Sequence, residues 1–141
     1  MDNNQIINEV KEASGAITRF ASRADTAGLL QCYAAVAEFR ACAGDGSMRK
    51  FDAFKTLCTD YFGPVASQNF VTVQQDFNIL DANLVIMGWT GNIQAFFKNG
   101  DVMNLNNYAV TNVFKKINGG WKVVHSHESS LLPEIIKAAG R

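Results

Sequence analysis

The side chains with the most chemical potential crowd into one late stretch, Tyr108 to Ser130, which holds Tyr108, Asn112, His125, His127 and Glu128. A carboxylate on the same face as a phenol and an amide can accept a proton or anchor a donor-bearing ligand. Two histidines two apart on one strand could instead share a metal ion. Pairing register decides between these uses, because a slip of one residue exchanges the faces of a strand. Runs rich in β-branched and aromatic residues flank Asn118-Gly119, so the stretch reads as a long antiparallel hairpin. A two-residue turn at Asn118-Gly119 would pair Ile117 with Gly120 and set Asn112 beside His125. A three-residue loop, Ile117 to Gly119, would pair Lys116 with Gly120, and a bulge at Gly119 would absorb the extra residue. The second is preferred, since Gly120 follows and Ile117 need not then be matched against it. Tyr108, Val110, Asn112 and Phe114 then share a face with Val124, Ser126 and Glu128. Trp121, Val123, His125 and His127 take the other.

On that reading no metal site forms. His125 and His127 are the only histidines, a zinc site needs a third protein ligand, and Glu128 points away from them. They are expected on the outer surface of a sheet or at a subunit contact. Cys32, Cys42 and Cys58 lack CxxC spacing and a neighbouring histidine, which suits reduced, mostly buried thiols. No cofactor is expected.

The elements that must position these groups follow from periodicity. From an N-cap at Asn3 or Asn4, Ile6, Val10, Ala13, Ile17 and Phe20 recur at helical spacing to about Ser22. Asp25 caps a shorter helix with Leu29, Cys32 and Tyr33. Beyond Ala34, the alternation of Ala37, Phe39 and Ala41 predicts a strand ending at Gly44-Asp45-Gly46. A third helix runs from about Met48 with Phe51, Phe54, Leu57, Cys58, Tyr61 and Phe62 on its face, and Gly63-Pro64 stops it. A meander then passes through Gln68 to Leu80, Leu84 to Lys98 and Val102 to Ile117, with Gly88 and Gly91 as bend or bulge points. Pro133 should start a tail helix carrying Leu132, Ile135 and Ile136. Helices followed by a long bent antiparallel sheet make an α+β fold in one domain, residues 1–141.

Thr111-Asn112-Val113-Phe114, the turn, and Gly120-Trp121 through His125-Ser126-His127-Glu128-Ser129 resemble the closing hairpin of the nuclear transport factor 2 superfamily. The pattern is most similar to its SnoaL-like branch and to the association domain of calmodulin-dependent protein kinase II. The resemblance implies a cystatin-like cone: a curved antiparallel sheet wrapped around the N-terminal helices, with a ligand pocket at its open end. It places Trp89, Asn112 and Glu128 on the concave wall, at positions where the kinase domain carries polar and cationic groups. None of the three is basic here, which argues against a strongly anionic ligand. With Phe39, Tyr108, Val110 and Phe114 they would make a mostly apolar wall with a few polar anchors, unless the aromatics simply fill the core. The ketosteroid isomerases of the superfamily carry a carboxylate base where this chain has Ala41, and an alanine cannot take a proton. Glu128, helped by Tyr33, Tyr108 or Asp52 at the rim, is then the one well-placed base.

Composition narrows the partners. Lys plus Arg equals Asp plus Glu at 13 each, and no basic run exceeds a pair, which excludes a nucleic-acid or anionic-membrane footprint. No apolar stretch approaches the roughly 18 residues of a membrane span, and Met1-Asp-Asn-Asn-Gln lacks a signal peptide's regions, so a cytoplasmic protein is expected. Trp121, Val123 and Val113 on the sheet's outer face would form an apolar patch and predict a homodimer there. Two functional classes remain. One is a binding or association module with a mostly apolar small-molecule pocket; the other is a small isomerase, dehydratase or cyclase acting on a hydrophobic carbonyl compound with Glu128 as base.

Overall fold

Asp2 opens the first helix, its carboxylate accepting from the amide of Gln5 at 2.8 Å. The helix start therefore lies a residue earlier than the expected cap at Asn3 or Asn4, and the charged acceptor also meets the positive end of the helix dipole. The computed structural model describes residues 2–139. In chain order it contains α1 (Asn3–Ser22), α2 (Thr26–Leu30), β1 (Arg40–Ala43), β2 (Met48–Arg49), α3 (Phe51–Phe62), β3 (Val65–Asp81), β4 (Leu84–Phe97), β5 (Val102–Ile117), β6 (Gly120–Ser129) and β7 (Glu134–Ile136). As expected, this is an α+β fold in which helices from the N-terminal half of the chain pack against a curved, unclosed sheet. The sheet order is β2-β1-β6-β5-β4-β3, with β7 on β5. No helix among the described residues is long and apolar enough to cross a membrane.

Ile6 and Val10 of α1, Leu29 of α2 and Phe54, Cys58 and Phe62 of α3 are buried against Val85, Met87, Phe114 and Val123 of the sheet. Each helix thus spends one apolar stripe on the concave face, and this burial holds the layers together. A polar bond adds direction at one end. Trp121 donates its indole N–H to Glu9 Oε1 at 2.8 Å, and Lys116 lies 3.3 Å from the same oxygen, so the hairpin tip is tied to α1.

The early strand is shorter than the alternation suggested. After a single bridge of Tyr33 with Val123, residues 35–38 are exposed loop, and continuous pairing begins at Arg40, where β1 runs parallel to β6 with Arg40 opposite His125 and Ala43 opposite Glu128. Met48 does not start the third helix. It pairs back on Cys42, and α3 begins at Phe51.

The closing hairpin takes the turn that was not preferred. Ile117 pairs with Gly120, and Asn118 and Gly119 both have positive φ, 50° and 81°, the arrangement whose twist matches that of its strands. A bulge then intervenes. Phe114 faces Val123 while Val113 faces His125, so Val124 is an extra residue. Beyond it Asn112 pairs with Ser126 and Val110 with Glu128; the longer loop would have set Asn112 opposite Val124 and Tyr108 opposite Glu128, so the faces there agree with expectation while the register lies two residues further along β6. The expected faces are corrected on the turn side only. Trp121 and Val123 point into the core, at 9% and 0% exposure, rather than outward. Val124 is the half-buried bulge residue. The cause is spacing: Trp121 and Val123 are odd-numbered and Ser126 and Glu128 even-numbered, so both sets can face inward only if one residue is left out of the ladder.

The tail also differs from expectation. Glu134–Ile136 is a strand, pairing Ile136 with Val102 and Glu134 with Asn104. β6 covers β5 only from Ala109 onward, so the first residues of β5 have an open edge, and β-branched Ile135 and Ile136 satisfy it better than a short helix would.

Candidate functional site

Between α1, α3 and the concave face of β4 to β6 lies a cavity of about 700 Å³. Two devices shape it. In β4, Gly91 allows a close approach: a Cβ there would stand 2.2 Å from the carbonyl oxygen of Val71 and 2.7 Å from the Trp89 ring. At the mouth, the segment Ser129 to Pro133 crosses from the end of β6 towards β7 and lines the opening with Leu131 and Leu132.

Six of the residues expected in a pocket line the cavity: Tyr33, Trp89, Tyr108, Val110, Asn112 and Glu128. Phe39 and Phe114 do not. Both are fully buried beneath the wall at 0% exposure, where large aromatic rings serve packing. Asp52 is exposed in the first turn of α3 and not part of the wall. Ala41, paired with Ser126 within the sheet, is buried and not at the cavity either. His125 is half-buried and His127 exposed. Among the described residues no cluster of His, Cys, Asp and Glu could hold a metal ion.

Tyr108 and Glu128 form the polar centre. The phenol of Tyr108 donates to Glu128 Oε2 at 2.5 Å. Burial pushes the Glu128 carboxyl above its ordinary range, and the bond from Tyr108 works in the opposite direction. Burial likewise raises the phenol of Tyr108, reinforced by the negative charge of Glu128 and by the bond to it. Tyr33 is raised too, by burial first and then by the negative charge of Glu128. From α3, Tyr61 and Cys58 are each pushed up to about 12 by burial and then by Glu128. The carboxyl is thus surrounded by groups that stay neutral at physiological pH. Next to it, Asn112 is 4% exposed and its Oδ1 has no partner among the described residues, nor has Ser126 Oγ across the ladder.

Sequence reasoning missed the helical side of the site. Cys58 and Tyr61 fell into the apolar stripe of α3, and Gln68 looked like an ordinary strand residue. Tyr61 donates to Gln68 Oε1 at 2.7 Å, and Gln68 donates onward to the carbonyl of Ala21 at 3.1 Å. A tyrosine in a packing stripe needs a partner for its hydroxyl, and that requirement was the available signal. Phe70 closes the side wall, with its ring centroid 6.4 Å from that of Trp89, and Trp89 in turn 6.4 Å from Tyr108.

Chemically, one carboxyl group poised above its usual pKa in an apolar enclosure can hold a donor or move a proton. The wall contains no lysine, arginine or histidine among the described residues.

This fold has known counterparts. A family model described as the SnoaL-like domain matches residues 10–133. No curated protein matches the chain. Among solved structures, a protein provisionally described as a dehydratase of the nuclear transport factor 2-like family from Streptomyces avermitilis superposes with a TM-score of 0.82 at 15% identity, over 93% of this chain and 99% of that one. A nuclear transport factor 2-like superfamily protein from Salmonella enterica serovar Typhimurium gives 0.76 at 16% identity, over 99% of each chain. A ketosteroid isomerase-like protein from Erwinia carotovora atroseptica gives 0.75 at 15% identity, over 94% of this chain and 100% of that one. At such identities the likeness is one of fold.

Proposed function

The chain belongs to the SnoaL-like family of the nuclear transport factor 2-like superfamily, and on that premise we propose that its cavity binds a small, largely apolar molecule that is not an anion, with Glu128 as the polar anchor. One observation carries this reading: the Tyr108–Glu128 pair stands in the wall of a cavity of about 700 Å³ whose other walls are mainly aromatic and aliphatic. Carboxylate or phosphate ligands need cationic donors, and the wall supplies none. Mass spectrometry of small molecules extracted from the purified protein tests the proposal, followed by calorimetry of each compound on the wild type and on Glu128→Gln. The variant should bind more weakly by about 1–3 kcal/mol, the usual cost of an unmatched buried polar group. Unchanged affinity would remove Glu128 as the anchor.

The raised carboxyl favours a second reading. A base whose pKa lies closer to neutrality is suited to taking a proton from the carbon beside a carbonyl group, the step that opens isomerisation, dehydration or cyclisation. The solved structures described as a provisional dehydratase and as ketosteroid isomerase-like point the same way. Solvent deuterium entering an apolar ketone in the presence of wild type but not of Glu128→Gln, followed by NMR, would establish it.

Association of two copies through the outer sheet face is proposed on a narrower basis than the sequence suggested, because Trp121 and Val123 are inside. What supports it is an unclosed sheet with its helices on one face only. Sedimentation giving a monomer at micromolar concentration would end it. The free thiols of Cys32, Cys42 and Cys58 support a cytoplasmic setting.

A further inference from the structure

The cavity holds a charge problem that its own residues do not solve. Glu128 is the one ionisable carboxyl deep in the wall. Asp45, the other acidic lining residue, is exposed and lies 3.7 Å from Arg49. Among the described residues no cation faces Glu128. The groups that surround it are Tyr108 on β5, Tyr33 from the segment before β1, and Cys58 and Tyr61 on α3. All are neutral acids with high pKa values. A buried carboxylate without a cationic partner is costly, and a ligand that brings the cation removes that cost.

Hydrogen bonding adds an independent observation. Tyr108 occupies Oε2 of Glu128, and no protein donor reaches Oε1 among the described residues. Asn112 Oδ1, in a side chain 4% exposed, has no donor among the described residues. The phenols of Tyr61 and Tyr108 have already given their protons to Gln68 and Glu128. Two acceptors therefore stand open, and one of them belongs to the carboxyl group that has no cation beside it. An ammonium group has three N–H donors and no acceptor, whereas an alcohol or ketone brings an oxygen that itself needs a donor.

The apolar lining agrees. Phe70, Trp89 and Tyr108 meet edge to face, at interplanar angles of 70° and 64°, so their ring faces are not stacked on one another. Aromatic faces attract cations as well as apolar bodies.

We propose that the ligand of this cavity is an organic ammonium ion: an amine on an aromatic or aliphatic body, donating N–H groups to Glu128 Oε1 and Asn112 Oδ1. The proposal rests on the reading of the cavity as a small-molecule site, and names the class of molecule it takes. Binding pairs the ammonium with the ionised carboxyl, so where Glu128 is protonated beforehand, one proton leaves for the solvent.

Three probes of nearly one shape separate the alternatives: tryptamine, tryptophol and indole-3-acetate, each titrated calorimetrically into the full chain at pH 8. Tryptamine should bind at least about tenfold more tightly than tryptophol, the scale of a charge-assisted hydrogen bond, and indole-3-acetate most weakly. In Glu128→Gln the preference for the amine should vanish, with circular dichroism confirming the fold. A second measurement needs no variant. In acidic buffers of differing ionisation enthalpy, wild type should release protons on taking up tryptamine and none on taking up tryptophol. If tryptophol binds as well as tryptamine, or if the preference survives in Glu128→Gln, the ammonium assignment is overturned while the small-molecule reading stands. If none of the three binds at millimolar concentration, both fall.

Discussion

Tyr108 reaches Glu128 along the diagonal of the β5–β6 ladder: the residue directly opposite Glu128 is Val110, yet the phenol closes on Oε2 at 2.5 Å. A diagonal cross-strand pair is within reach only of long side chains. This one holds the carboxyl over the cavity instead of letting it turn along the strand towards solvent.

Removing the phenol should therefore show up in the carboxyl. In Tyr108→Phe the bond that lowers the pKa of Glu128 is gone while the burial that raises it remains, so the carboxyl should titrate higher than in the wild type. Carbon-detected NMR of labelled glutamate reads this directly. The fold should lose about 1.5–3 kcal/mol, as for a hydrogen bond to a charged group. A titration that moves down would show that the bond does not set the carboxyl's environment.

Glu128 also fixes the sign of a pH effect on stability. Its pKa in the folded chain is raised, so the folded state holds this proton more tightly than the unfolded one. Its favourable contribution is fully present below the unfolded value of about 4.3 and is lost as pH rises through the folded value. Glu128→Gln cannot titrate. Melting temperatures should then favour the variant over the wild type more at pH 8 than at pH 4, and the reverse trend would contradict the assigned burial.

The inward side of β6 near the turn can be tested by truncation. Trp121→Ala should cost about 3–5 kcal/mol and Val123→Ala about 2–3, the range for large core side chains, whereas His127→Ala should stay within about 0.5. Urea denaturation measures all three. Similar values for Trp121 and His127 would put the hairpin back in the register without a bulge.

Gly91 and Gly88 lie three residues apart on β4 and should behave oppositely. A Cβ at Gly91 meets the Val71 carbonyl and the Trp89 ring, while one at Gly88 meets nothing within 4 Å. Gly91→Ala should destabilise by about 1–3 kcal/mol as overpacking does and shift the fluorescence of Trp89. Gly88→Ala should be neutral or slightly stabilising, because it narrows the unfolded ensemble.

Much of this was legible in the sequence where one physical rule dominated. The apolar stripe of α1, the cap at Asp25 and the meander all follow from periodicity and turn chemistry, whereas the inward aim of Glu128 was expected from a loop that the chain does not use and is secured by the bulge instead. What failed were places where two elements compete. Asn118-Gly119 imposes one parity and the inward demand of Ser126 and Glu128 the other, and only a bulge at Val124 satisfies both; local pattern does not say on which side of the compromise Trp121 falls. β7 was misread because its strand state depends on an edge of β5 that opens only once β6 is in place. The cavity wall on α3 was hidden because Cys58 and Tyr61 have the same spacing as the core residues Phe54 and Phe62.

The parallel pairing of β1 with β6 has a consequence for how the chain acquires this shape. β1 lies early in the sequence, yet its neighbours are the adjacent short β2 and a strand made near the end. Tyr33 waits in the same way for Val123, and Glu9 for Trp121. These contacts span most of the chain, and closing such long loops is slow. As the protein emerges from the ribosome, the helices and the β3–β5 meander can form in turn, but the first strand stays without its partner until β6 has left the exit tunnel. The strand that completes the sheet also delivers Glu128, so the carboxyl joins the cavity in one of the last events of folding.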